Sequence, residues 1–183
     1  LSWSVIAQFF YVGAQTCIIS FFIRIARHAA DMDEKTASGT YMVAYGIAFL
    51  IGRFVGTALM SKIDAKKLLG VYALINIILS LVTVFASGMI VIYALIGMAF
   101  FMSIMFPTIF SMGIFKLGKD TKIASSLIIM AIVGGAVFPP ILGVISDWFS
   151  NIQMGYLVNT VCFIVIFYYA VKGYKVSEKY LKS

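Results

Sequence analysis

Six long, unbroken apolar runs, separated by short clusters of charge or turn residues, constrain this chain more than any other feature. They cover residues 3–25, 39–61, 68–86, 89–115, 123–146 and 154–171. A helix needs about 20 apolar residues to cross about 30 Å of hydrocarbon. In lipid every backbone polar group must be paired within the protein, so only helices and closed barrels span it. Barrel strands alternate apolar and polar residues over about 10 positions, and these runs do not alternate. The sequence therefore predicts an all-α membrane protein: one bundle of six transmembrane helices, followed by a basic tail over residues 172–183. A length of 183 residues leaves no room for a soluble domain.

The charges report orientation. The chain is 62% hydrophobic and only 11% charged, against about 45–50% and about 25% in soluble domains. That balance excludes an ordinary soluble enzyme, a disordered tail and a nucleic-acid module, even though the net charge is +7. Ten lysines fall on one side of the spans: Lys62, Lys66, Lys67, Lys116, Lys119, Lys122, Lys172, Lys175, Lys179 and Lys182. Three basic residues, Arg24, Arg27 and Lys35, fall on the other. Positive loops stay in the cytoplasm, so both ends of the chain are expected there, in a multi-pass protein of the plasma (bacterial inner) membrane. The lipid bilayer is the expected partner, and nucleic acid is not. The tail from Lys172 reads mainly as a positive stop and can touch anionic lipid. The chain opens at Leu1 directly in an apolar run, with no basic stretch before it. A signal peptide would carry one; the expectation is a segment of something longer.

Polar groups inside hydrocarbon are costly unless paired or facing a cavity, and so they are the informative residues. Arg53 lies nine residues before Lys62, about 13 Å inward at about 1.5 Å per residue. It reads either as a cavity-facing group for a polar substrate or as an Arg that snorkels or bonds helix-end carbonyls. Gln8, Tyr11 and Gln15 stand at i, i+3 and i+7 on one face of the first span. They suit hydroxyl recognition, or hydrogen bonds between helices worth about 0.6 kcal/mol each. Asn76, midway along the third span, reads first as a helix–helix contact. Phe49 and Phe106 read as packing on composition alone, because the chain has 16 Phe. Gly52 and Gly56 form a GxxxG that permits close helix approach, within the bundle or to a second copy. Gly134-Gly135 and Pro139-Pro140 are expected to kink the fifth span.

All seven acids lie in loops, tail or helix ends, and the single His28 sits at a membrane edge. The spans hold no paired carboxylates, no Ser/His/Asp set and no metal-ligand spacing; the chain has no phosphate-binding loop. No enzyme, cofactor, metal site or ATPase is expected. A proton relay needs a titratable intramembrane group, and Arg53 stays charged. Cys17 and Cys162 fall in apolar runs and read as packing.

Several stretches together resemble a known family. Tyr11-Val-Gly-Ala-Gln-Thr16 with Ser20-Phe-Phe-Ile-Arg24 is similar to the seventh span of the fucose permease family, proton-coupled sugar carriers of the major facilitator superfamily. Ile51-Gly-Arg-Phe-Val-Gly-Thr57 resembles its eighth span, and residues 101–111 its tenth. Residues 118–122, Ser125-Ser126 and residues 132–147 resemble the loop before its eleventh span and that span itself. The resemblance implies the C-terminal half of such a carrier, two inverted three-helix repeats. A small-molecule sugar would sit between this half and an N-terminal six-helix half that handles protons. It makes Gln15, Phe49, Arg53 and Phe106 pocket candidates. Some relatives carry Tyr where Phe106 stands; Phe keeps the stacking surface and loses a hydrogen bond. The expected function is L-fucose-like monosaccharide uptake with protons by alternating access. The alternatives are a glucose/galactose carrier of the same family, or a non-transporting membrane scaffold from a split gene.

Overall fold

The computed structural model describes residues 1–115 and 117–173. Lys116 and the tail beyond Gly173, with its three lysines, lie outside the described residues. Six helices are long and apolar enough to cross a membrane: α1 Ser2–Ala30, α2 Glu34–Met60, α3 Ala65–Phe85, α4 Met89–Ile114, α5 Gly118–Trp148 and α6 Ile152–Gly173. No strand occurs among the described residues.

Short polar residues in the loops set four of the helix ends. Asp31 closes α1 in the left-handed conformation (φ 48°, ψ 39°), its N–H donating to the Ala26 carbonyl. Asp tolerates that conformation better than larger residues do. Arg27 and His28 in the last turn complement the negative end of the helix dipole. Asp33 caps α2 by accepting the Thr36 N–H at 3.0 Å. That cap starts the helix at Glu34, ahead of the hydropathy edge near residue 39. The following Ala37–Tyr41 segment is a wider π-type turn. Asp64 caps α3 through the Lys66 N–H (2.9 Å), and Asn151 caps α6 through the Gln153 N–H (2.9 Å).

Two helices are interrupted inside the membrane. α4 breaks at Ser103–Ile104, between segments ending at Met102 and starting at Met105. Pro107 explains the break: it lacks an N–H, and its ring would press on the Ser103 carbonyl four residues back. The Ser103 hydroxyl instead turns back to the Phe100 carbonyl at 2.7 Å. α5 tightens to a 3-10 turn over Ala131–Val133, and its helix then continues through Pro139 and Pro140. The departure from α geometry thus lies just before Gly134 rather than at the prolines.

α1, α3, α4 and α6 form the packed centre, with α1 against α6 and α4, and α3 against both α4 and α6. α2 leans chiefly on α4, and α5 chiefly on α1. Only 17% of the most apolar stretch of α2 and 28% of that of α5 is buried, against 50–56% for the other four. Small residues let the two flanking helices approach. A Cβ on Gly52 would run into the Phe100 carbonyl of α4, and one on Gly134 into the Phe9 carbonyl of α1. Gly56 is likewise covered by Ile104. The GxxxG face is therefore used within the bundle and is not open to a second copy. Cys17 and Cys162 are free thiols buried in the core.

Candidate functional site

The break in α4 leaves a backbone carbonyl, that of Met102, facing α1. The Tyr11 hydroxyl donates to it at 3.1 Å. Phe106, one turn past the break, meets the Tyr11 ring edge-on with centroids 6.1 Å apart. From α2, Gly52 packs against Phe100 and Ser103 beside the break, and Arg53 is the next residue. Tyr11 and Phe106 thus meet where α1 joins α4, and α2 brings Arg53 to the flank of that junction. Tyr11 is fully buried and Phe106 half-buried, while Arg53 is exposed at the bundle surface. Gln15 stands one turn along α1 from Tyr11 and is half-buried. Phe49 precedes Arg53 by one turn of α2 and packs, half-buried, against the core.

Gln8 and Asn76 behave differently from the rest of the predicted set. Both are completely buried, and neither amide has a hydrogen-bond partner among the described residues. Gln8 shares a helical face with Gln15, but at its level the face is covered by packing. Asn76 heads a second polar stripe, Asn76, Ser80 and Thr83, at i, i+4 and i+7 of α3.

That stripe is the feature sequence reasoning missed. The Ser80 hydroxyl lies 2.8 Å from that of Thr160 and donates to the Tyr156 carbonyl at 3.2 Å. Gln153 donates from its side-chain nitrogen to the Thr83 and Ala86 carbonyls, both at 2.8 Å. Those carbonyls end α3, where the helix has no further N–H to offer them. A seam of polar bonds therefore locks α3 to α6. Its signal was present: Asn76, Ser80 and Thr83 share one helical face, as Gln8, Tyr11 and Gln15 do, and Asn159-Thr160 interrupts an apolar run. Tyr45 was also missed; it is buried with its ring edge-on to Phe22 at 5.7 Å.

At the end of the bundle where α1 meets α2, a pocket of ≈ 750 Å³ is lined by Arg24, Arg27, His28, Asp31, Asp33 and Glu34. Arg27 and Glu34 approach to 3.9 Å, both well exposed. The hydrogen bond from Thr36 holds the Asp33 carboxyl below its usual range. With three basic and three acidic side chains, the pocket selects no single sign of charge. No cluster of three or more His, Cys, Asp or Glu able to hold a metal ion occurs among the described residues.

No protein-family model matches the chain. Among curated proteins it is 44% identical to the L-fucose-proton symporter of Escherichia coli over 168 residues, which is 92% of this chain and 38% of that protein. It is 43% identical to a putative glucose/galactose transporter of Helicobacter pylori, over 93% of this chain and 42% of that protein. It is 36% identical to a glucose/galactose transporter of Brucella abortus, over 93% and 41%. The crystal structure of the Escherichia coli fucose:proton symporter is similar with a TM-score of 0.90 at 45% identity, over 92% of this chain and 41% of that one. A second structure, of a major facilitator superfamily transporter in the outward conformation, matches with the same values. The chain spans about two fifths of the length of the relatives it matches. Those relatives are transporters, not enzymes, and the six apolar helices make this a multi-pass membrane protein. Along nearly all of its length, the chain matches one half of a fucose-permease-like transporter of the major facilitator superfamily.

Proposed function

We propose that this chain is the C-terminal half of a proton-coupled monosaccharide symporter that takes up an L-fucose-like sugar by alternating access. The observation that carries this reading is the TM-score of 0.90 at 45% identity with the fucose:proton symporter. The sugar would lie against the α1–α2–α4 junction. There Gln15 and Arg53 would offer donors to hydroxyls, and Phe106, Tyr11 and Phe49 aromatic surface to the apolar face of the ring. An N-terminal six-helix half would close the other side of the site and carry the proton, because the acids of this chain lie in loops, tail or helix ends. The lysine asymmetry supports cytoplasmic ends in a bacterial inner membrane.

Uptake of radiolabelled L-fucose into proteoliposomes under a proton gradient tests the reading. The full carrier should accumulate sugar, and this chain alone should not. Robust proton-linked uptake by this chain alone would overturn it. A second reading, a glucose/galactose carrier, is favoured by the 43% identity to the Helicobacter pylori transporter. Competition among L-fucose, D-galactose and D-glucose for the full carrier separates the two.

A further inference from the structure

The pocket of ≈ 750 Å³ where α1 meets α2 lies far from the Tyr11–Phe106 contact. Arg24, on its wall, stands thirteen residues along α1 from Tyr11, about 20 Å at about 1.5 Å per residue. Small-ligand sites enclose about 300–1,000 Å³, and this pocket falls within that range. The last turns of α1 supply Arg24, Arg27 and His28, the connecting loop Asp31 and Asp33, and the first residue of α2 is Glu34. Met32 and Ile152 make the apolar part of the wall.

The polar atoms still open decide what the pocket can hold. The Arg24 guanidinium carbon sits over the Phe21 ring at 5.3 Å, a contact that consumes none of its N–H donors. Arg27 and Glu34 attract at 3.9 Å, beyond hydrogen-bond reach, so their donors and acceptors stay open. Asp33 gives one carboxylate oxygen to the Thr36 N–H. Arg24, Arg27, Asp31 and Glu34 are all exposed. An anion entering here meets three carboxylates, and a cation meets two guanidiniums. A neutral polyol meets no such conflict. Each hydroxyl can donate to a carboxylate and accept from a guanidinium, and the C–H face of a sugar ring suits Met32 and Ile152.

We propose that this pocket is a second sugar site, which holds a neutral monosaccharide loosely before it reaches the α1–α2–α4 junction. Arg24 and Arg27 donate to its hydroxyls, and Asp31 and Glu34 accept from them. The site is too weak to register in equilibrium binding at concentrations that saturate the junction. It rests on the reading of this chain as half of a sugar carrier, and on the orientation that the lysine asymmetry supports, which turns this end outward.

The test is protection of a labelled residue in the full carrier. His28→Cys is alkylated from outside with a membrane-impermeant maleimide, its rate read against the carrier without that substitution, while L-fucose, D-galactose or D-glucose is titrated. Cys17 and Cys162 are buried and do not report. The transported sugar should slow labelling. Adding Arg53→Gln should leave the protecting concentration unchanged, although it weakens the junction. Adding Arg24→Gln and Asp31→Asn should raise it about tenfold, the scale of one lost hydrogen bond to a charged group; Asn tolerates the left-handed conformation of residue 31. In uptake, the same pair should raise KM with kcat and the melting temperature unchanged. Asp147→Asn, which alters an acid outside the pocket, should change none of these. No protection, protection that shifts in step with the junction in Arg53→Gln, or equal protection by the zwitterion glycine would each overturn the proposal. A full carrier that accumulates none of the three sugars would instead overturn the functional reading, and this site with it.

Discussion

Ser80, Thr160 and Gln153 bond across the α3–α6 seam, whereas the side chains of Gln15 and Arg53 at the α1–α2–α4 junction make no hydrogen bond with another described residue. Both groups lie in stretches that cross hydrocarbon, where a polar atom must find a partner. The seam finds its partners inside the bundle and so acts as a fastener. The junction leaves an amide and a guanidinium at the edge of the bundle, beside a broken helix and an aromatic pair. Polar stripes on two helices therefore end in different settings, decided by what packs over them. The flanking helices show the same division. α2, which carries Arg53, is the least buried of the six.

That contrast predicts that seam substitutions change stability and junction substitutions change sugar binding. The largest effect is expected at Arg53. Arg53→Gln removes a charged donor worth about 1.5–3 kcal/mol to a ligand hydroxyl. Sugar affinity of the full carrier, measured by isothermal titration calorimetry, should fall about a hundredfold, with its melting temperature unchanged. Next comes Gln153→Ala, which strips a donor from the buried Thr83 carbonyl and the half-buried Ala86 carbonyl; at about 1–3 kcal/mol for a buried group left unsatisfied, it should lower thermal stability in detergent and leave affinity alone. Gln15→Ala should weaken sugar binding about tenfold, as for the loss of about 1.4 kcal/mol. Ser80→Ala should cost about 0.6 kcal/mol of stability; a loss of sugar affinity there would erase the distinction between the two regions.

The smallest effect is at the α2 cap. The Thr36 hydrogen bond lowers the Asp33 carboxyl from its ordinary value of 3.8. Its contribution is therefore complete above that value and is lost as pH falls through the lowered one. Asp33→Ala should flatten a small part of the decline in melting temperature on acidification below about pH 4. A decline as steep as that of the wild type would leave the cap without that role.

The six spans were legible because continuous apolar length is a property of sequence alone. Details that depend on a neighbour were not. α2 begins at Glu34 because Asp33 caps it, and hydropathy does not register a cap. Pro107 marked the α4 break, but the sequence does not show that the carbonyl left at Met102 would receive Tyr11. At the site, the convergence of Tyr11 with Phe106 followed from chemistry-bearing residues inside spans. Gln8 shows the limit of that reasoning. Helical spacing puts it on the face of Gln15, yet α1 passes deeper into the bundle at that level, and the amide is covered. Periodicity gives a direction, and only packing says what lies there.

The claim that Gln15 and Arg53 face the sugar is tested most directly by equilibrium binding of L-fucose, D-galactose and D-glucose to the full carrier bearing Gln15→Ala and Arg53→Gln together. The account predicts that binding of whichever sugar the wild type takes is abolished while the melting temperature holds. Binding within twofold of the wild type would contradict it, and would return both residues to the role that Ser80 and Gln153 play in the seam.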